Sequence, residues 1–168
     1  MDDSVPHYHP NIIMKFEDEI KQGQFKSEKQ KASLNLMFTA NWLTNEHRDF
    51  FKGYGLTQQQ YNVLRILRGQ FPNSISTSDI KNRMLDKHSD TSRIVDRLTL
   101  KEWVSKKTCP TDRRLVDVTI TDSGLELLAS IDEAVNQLDE AIPLTDDEAA
   151  LLSTLLDKIR DKSIARQD

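Results

Sequence analysis

The stretch Ser89-Asp90-Thr91-Ser92-Arg93-Ile94-Val95-Asp96-Arg97-Leu98 carries the residue types best suited to reading a polyanion. Residues three and four apart are neighbours on a helix, so Ile94, Val95 and Leu98 share an apolar face. Ser89, Asp90, Ser92, Arg93 and Arg97 fall mainly on the other faces. Small hydroxyl side chains let a helix end approach a duplex, and arginine presents paired donors to guanine edges or phosphate oxygens. By itself the segment fits a solvated amphipathic helix equally well, so its neighbours must decide. The patterns that carry catalysis are missing: there is no Gly-x-Gly-x-x-Gly, phosphate loop, His-Glu-x-x-His or Gly-x-Ser-x-Gly. Five glycines in the chain leave no visible phosphate-cradling loop. No catalytic residue, metal site or cofactor is therefore expected, and the chain does not read as an enzyme. His7-Tyr8-His9 has a metal-ligand spacing, but no second cluster accompanies it, and the pair reads as incidental. Cys109, the single cysteine, lies near Lys107 and Arg113, which favour a thiolate. That makes it a candidate redox switch, but one without a resolving partner in the chain.

The elements around this stretch give it a setting. Ser76 or Thr77 caps a short helix running to about Leu85, with Ile80 and Met84 inward. A polar link, Asp86-Lys87-His88, leads into the second helix, which runs to about Glu102. Residues 103–107 and 115–120 then read as two strands of a hairpin, because Val116, Val118 and Ile120 alternate with Asp117 and Thr119. Helix, helix and hairpin in that order make a winged helix-turn-helix. Arg113 and Arg114 fall at the hairpin tip, where they are expected to enter a minor groove. Asp96 is expected to brace a wing arginine, since an unpaired carboxylate facing DNA would repel phosphates.

On either side lie apolar helices. Ile12, Ile13, Phe16 and Ile20 predict a helix over residues 11–22, broken by Gln22-Gly23-Gln24. Residues 31–51 form a long helix whose stripe (Leu36, Ala40, Leu43, His47, Phe50) is widened by Leu34, Met37, Phe38 and Trp42. Gly53-Tyr54-Gly55 ends it. Thr57 and Gln60 have capping-box spacing before Tyr61, Val63, Leu64 and Leu67. Thr121 caps a further helix with Leu128, Ile131, Val135, Leu138 and Ile142 along one seam, stopped by Pro143. Thr145 to Glu148 is a second capping box, ahead of Leu151, Leu152, Leu155, Leu156 and Ile159. So much apolar surface on the outer helices predicts pairing with a second copy. The fold class expected is mainly α with a small β-wing. Residues 1–55 would be an arm with dimerisation helices, 56–121 the winged helix-turn-helix, and 122–168 C-terminal dimerisation helices.

The totals agree with this division. The chain has 168 residues, 30% charged and 37% hydrophobic, with no apolar run of membrane-spanning length. Its start lacks the order of a signal peptide, and its cysteine usage suits a reducing cytoplasm. The net charge of −4 is unevenly spread: residues 75–114 carry ten Lys/Arg against six Asp/Glu, whereas residues 115–168 carry four against thirteen. A basic module on an acidic body predicts salt-sensitive binding to double-stranded DNA. A winged-helix adaptor that binds protein instead of reading DNA is the alternative.

Three pieces in sequence resemble the MarR family, the multiple-antibiotic-resistance regulators. They are Leu56-Thr57-x-x-Gln60-Tyr61-x-Val63-Leu64-x-x-Leu67, then Ser92-Arg93-Ile94-Val95-Asp96-Arg97-Leu98, then Asp112-Arg113-Arg114-x-Val116-x-Val118-Thr119-Ile120-Thr121-x-x-Gly124. The resemblance covers roughly residues 25–164 and leaves residues 11–23 as an N-terminal addition. It implies a triangular homodimer acting as a DNA-binding transcriptional regulator, usually a repressor. Its recognition helices would lie about 34–36 Å apart on a pseudo-palindromic site. Lys87, Ser89, Thr91, Ser92, Arg93 and Arg97 would meet the major groove or its phosphates, and Arg113 or Arg114 the minor groove. A small aromatic ligand would lower DNA affinity, with Phe38 and Trp42 lining its pocket. One departure stands out. The family usually has Gly after the recognition helix, where this chain has Lys101-Glu102-Trp103. Either Glu102 takes a left-handed turn or the helix ends differently, and Trp103 is expected to pack under the hairpin.

Overall fold

The computed structural model describes residues 14–108 and 116–161, and it divides into two compact units, residues 1–58 and 59–168. In the first unit, α1 (Phe16–Glu19) precedes the long α2 (Glu28–Lys52). Ser27 caps α2, its hydroxyl accepting from the Gln30 amide at 3.1 Å. The helix predicted over residues 11–22 is therefore one turn within the described residues. It stops at Ile20, and Lys21 turns left-handed with φ 53°. Phe16 is buried and its ring meets Phe25 at 5.9 Å and Phe38 at 5.7 Å, while Glu17 pairs with Lys31. The end of α2 falls where the glycines stand: Gly53 caps it and Gly55 takes φ 67°, so that the Leu56 amide can return to the Phe51 carbonyl at 3.0 Å.

The second unit holds α3 (Gln58–Arg68), β1 (Ile75–Ser76), α4 (Thr77–Arg83), α5 (Thr91–Leu100), β2 (Val104–Thr108), β3 (Val116–Ile120), α6 (Asp122–Glu140) and α7 (Asp146–Arg160). Its core is the expected apolar set. Val63, Leu64 and Leu67 of α3, Ile80 and Met84 at α4, Val95 and Leu98 of α5, and Val118 and Ile120 of β3 are all buried. Leu128 and Ile131 of α6 join them. The wing has three strands where two were predicted. The order is β1-β3-β2, all antiparallel, with Ile75 opposite Val118 and Val104 opposite Ile120. A two-residue strand is too short to show alternation in the sequence, so β1 became visible only through its partner.

The C-terminal helices are less enclosed. Thr145 and Glu148 form the predicted capping box: the Glu148 carboxylate accepts from the Thr145 amide at 2.9 Å, and the Glu148 amide donates to the Thr145 hydroxyl at 3.4 Å. The Thr145 amide and, second to it, the Thr145 hydroxyl, which donates to the same carboxylate oxygen at 3.0 Å, hold the Glu148 carboxyl below its ordinary pKa. No residue of α7 is buried, and Leu151, Leu152, Leu155 and Ile159 are 45–65% exposed. Along α6, burial at Leu128 and Ile131 fades to half-burial at Val135 and Leu138. Among the described residues no helix is long and apolar enough to cross a membrane.

Candidate nucleic-acid interface

The interface begins with how α5 is held. Asp90 caps it, Oδ1 accepting from the Arg93 amide at 3.1 Å while its carbonyl takes the Ile94 amide at 3.0 Å. Thr91, Val95 and Leu98 recur every three or four residues and are buried, so they form the inner face. Ser92, Arg93, Asp96 and Arg97 are exposed on the outer face. The turn before α5 is fastened at two points. Asn62, itself buried on α3, accepts the Leu85 amide at 3.0 Å. Asp86 accepts the Ser89 hydroxyl at 2.8 Å and the His88 amide at 2.9 Å. Those two donors, the hydroxyl first, hold the Asp86 carboxyl below its ordinary pKa.

The junction into the wing resolves the missing glycine. Glu102 takes the left-handed turn, with φ 60°. The Glu102 amide donates to the Thr99 carbonyl at 3.0 Å and the Trp103 amide to the Leu98 carbonyl at 3.1 Å, the paired closure of a Schellman ending. The Glu102 carbonyl accepts the Thr121 hydroxyl at 2.7 Å and the Ser123 hydroxyl at 2.8 Å, tying the end of α5 to the start of α6. Gly124 permits that approach, since a Cβ there would come within 2.3 Å of the Trp103 carbonyl oxygen. Trp103 is half-buried, with the Lys101 ammonium over its ring at 4.5 Å.

The predicted contact residues divide as follows. Ser92, Arg93 and Arg97 stand exposed on α5 and Lys87 is exposed in the turn, its ammonium on the Asn82 carbonyl. Ser89 is half-buried, its hydroxyl bonded to Asp86. Thr91 departs from the expected placement: it is 4% exposed, because it sits one turn before Val95 on the inner face. Asp96 is braced by a wing cation as expected, but the partner is Lys106 of β2. Arg113, Arg114 and Cys109 lie outside the described residues, as does His7-Tyr8-His9. Phe38 and Trp42 lie on α2 in the first unit, Phe38 against Phe16 and Trp42 53% exposed. Among the described residues no group of His, Cys, Asp or Glu could hold a metal ion.

The sequence reading located α4 but named no residue of it at the interface. Between α4 and α5 lies an open cleft of about 460 Å³, lined by Ser78, Lys81, His88, Ser89, Thr91 and Ser92 among others. Ser78 and Lys81 are three apart on α4, away from buried Ile80, and that spacing was the available signal. With exposed Arg93 these groups make a polar face around the start of α5, in which Lys81 stands beside the capping Asp90.

This arrangement matches known proteins. The MarR family model matches residues 54–115. The regulator PecS of Dickeya dadantii is 30% identical over 112 residues, which cover 65% of this chain and 68% of PecS. The chain belongs to the MarR family. It is thus a DNA-binding transcriptional regulator and not an enzyme. A MarR transcription factor from Planctomyces limnophilus is similar in structure, with 34% identity, a TM-score of 0.63, and coverage of 80% of this chain and 98% of that one. The MarR fold is shared more distantly with a mutant of Escherichia coli MarR complexed with operator DNA, at 23% identity and a TM-score of 0.66 over 83% of this chain and all of that one. It is also shared with the organohalide-sensing regulator RdhR in its 2,4-dichlorophenol-bound form, at 16% identity and a TM-score of 0.70 over 83% of this chain and 85% of that one. MarR relatives therefore include one solved on operator DNA and one solved with a phenolic ligand.

Proposed function

We propose that this MarR-family chain is a cytoplasmic, homodimeric repressor that places two copies of α5 in successive major grooves of a pseudo-palindromic operator. The observation that carries this reading is the outer face of α5, where Ser92, Arg93 and Arg97 stand exposed around Asp96, whose charge is offset by Lys106. Arg93 and Arg97 read base edges or grip phosphates, Lys87, Ser89 and Ser92 fix the register, and Arg113 or Arg114 enters the minor groove. Two copies are supported by the exposed leucines of α7 and by Met37 and Trp42 on α2, apolar surface that a soluble monomer would leave in water. By the same family likeness a small aromatic ligand releases the DNA, with Phe38 and Trp42 facing it.

The test is binding to a duplex selected from a random DNA pool, across a salt series. Affinity is expected to fall steeply with salt. Arg93→Ala is expected to lose about 1–3 kcal/mol of binding and relax specificity at one position. A double variant Arg93→Ala, Arg114→Ala that binds the selected duplex as tightly as the parent contradicts the assignment.

A further inference from the structure

Full burial along α6 ends at Ile131. Leu128 and Ile131 are buried, Val135 and Leu138 are half-buried, and no residue of α7 is buried. Beside that last buried residue stands an ion pair joining α6 to α3 across 64 residues of sequence. Arg68, the last residue of α3, donates from Nη1 to both carboxylate oxygens of Asp132, at 2.9 and 2.8 Å. The pair has company. Arg65 lies one turn before Arg68 on α3 and Asp139 two turns beyond Asp132 on α6, and all four charges act on the buried Tyr61 phenol. Basic residues of α3 and acidic residues of α6 thus converge on one side chain. With side chains 35% and 43% exposed, the Arg68–Asp132 pair adds little to stability. Its place is more telling. It fastens the helix that opens the winged helix to the helix that leaves it, at the point where full burial of α6 stops.

We infer that Arg68 and Asp132 are a positioning pair, which fixes the tilt of α6 on the winged helix and through it the spacing of the two DNA-reading helices in a dimer. From Asp132 to Glu140, the end of α6, is about 12 Å. A tilt of about 10° over that length displaces the far end by about 2 Å. In a two-fold pair the displacement counts twice, roughly 4 Å against a base-pair rise of about 3.4 Å. A modest loss of angle is therefore the size of a one-base-pair error in half-site spacing. The inference rests on the two-copy reading proposed above. It adds residues that set specificity without touching DNA: Arg93 and Arg97 read a half-site, and the pair sets how far apart two half-sites lie.

The experiment measures affinity of the full chain for an inverted repeat selected from a random pool, for the same repeat with a base pair added or removed between its half-sites, and for a lone half-site. The parent is expected to prefer the selected spacing. Asp132→Asn and Arg68→Gln each remove one charge of the pair. Each is expected to lose roughly fivefold of that preference, the upper range for a partly exposed pair, while binding the lone half-site within about twofold of the parent. The double variant is expected to lose no more than the larger single loss, because both substitutions act on one contact. Single variants that keep the parent's spacing preference overturn the inference, as do losses that add in the double variant. Equal weakening on every duplex, the lone half-site included, overturns it too, since the pair would then only stabilise the fold. If the parent itself shows no preference for spacing, the two-copy reading fails first and the pair's role falls with it. If the parent prefers one spacing and every variant prefers it equally, only the pair's role fails.

Discussion

Glu102 holds a backbone conformation that suits glycine, and the hydrogen bonds around it show how the chain tolerates this. A left-handed φ costs an L-residue about 1–2 kcal/mol. Against that cost stand the two amide bonds that close the end of α5 and the two hydroxyls, of Thr121 and Ser123, on the Glu102 carbonyl. Glu102→Gly is expected to raise stability by up to about 1 kcal/mol in urea unfolding, the flexibility gained by the unfolded chain subtracting from the relieved strain. A lower midpoint would mean that the glutamate side chain contributes more than the strain takes away. The choice between a strained glutamate and an altered helix end was visible in the sequence, but its outcome was not, because residues near 102 and 121–123 meet only in the fold. Thr91 has a similar lesson. A threonine at a helix start fits an inner and an outer face alike, and only its spacing to Val95 and Leu98 marks it as inward.

At the scale of elements, the helix-turn-helix is held by polar fastenings as much as by its core. Asn62 anchors the Leu85 amide and Asp86 ties His88 and Ser89 into the turn. Because folding lowers the Asp86 pKa, its contribution is present above the unfolded value and is lost as pH falls through the folded one. The stability lead of the parent over Asp86→Asn, from urea unfolding at a series of pH values, is therefore expected to be complete at pH 7 and to shrink below about pH 4. A lead that does not change with pH would show that the carboxylate charge is not what fastens the turn. Apolar spacing made α3, α4, α5 and β3 legible, and the caps at Ser76, Thr121 and Thr145 marked where helices start. The signal failed where an element is too short to carry a period, as at β1 and α1, or where a polar side chain acts across a long sequence gap, as Asn62 does.

For the whole molecule, charge and apolar surface are segregated along the chain. The basic excess lies in residues 75–114 and the acidic excess in residues 115–168, so the reading module is the part drawn to a polyanion. The helices with exposed apolar faces, α2 and α7, are the two that the spacing of their own residues marked as having surplus surface. The surplus could be read from sequence because it needs only a helical period. Its partner could not, because no sequence pattern distinguishes a face that docks on its own chain from one that docks on another. The central claim joins both properties: two copies present two readers to one duplex. Its most direct test is the sequence that the purified chain selects from a random DNA pool. The expected product is an inverted repeat whose half-sites are centred about 10–10.5 base pairs apart, or a multiple of that. Selection of a lone half-site, or of no motif at all, would contradict it.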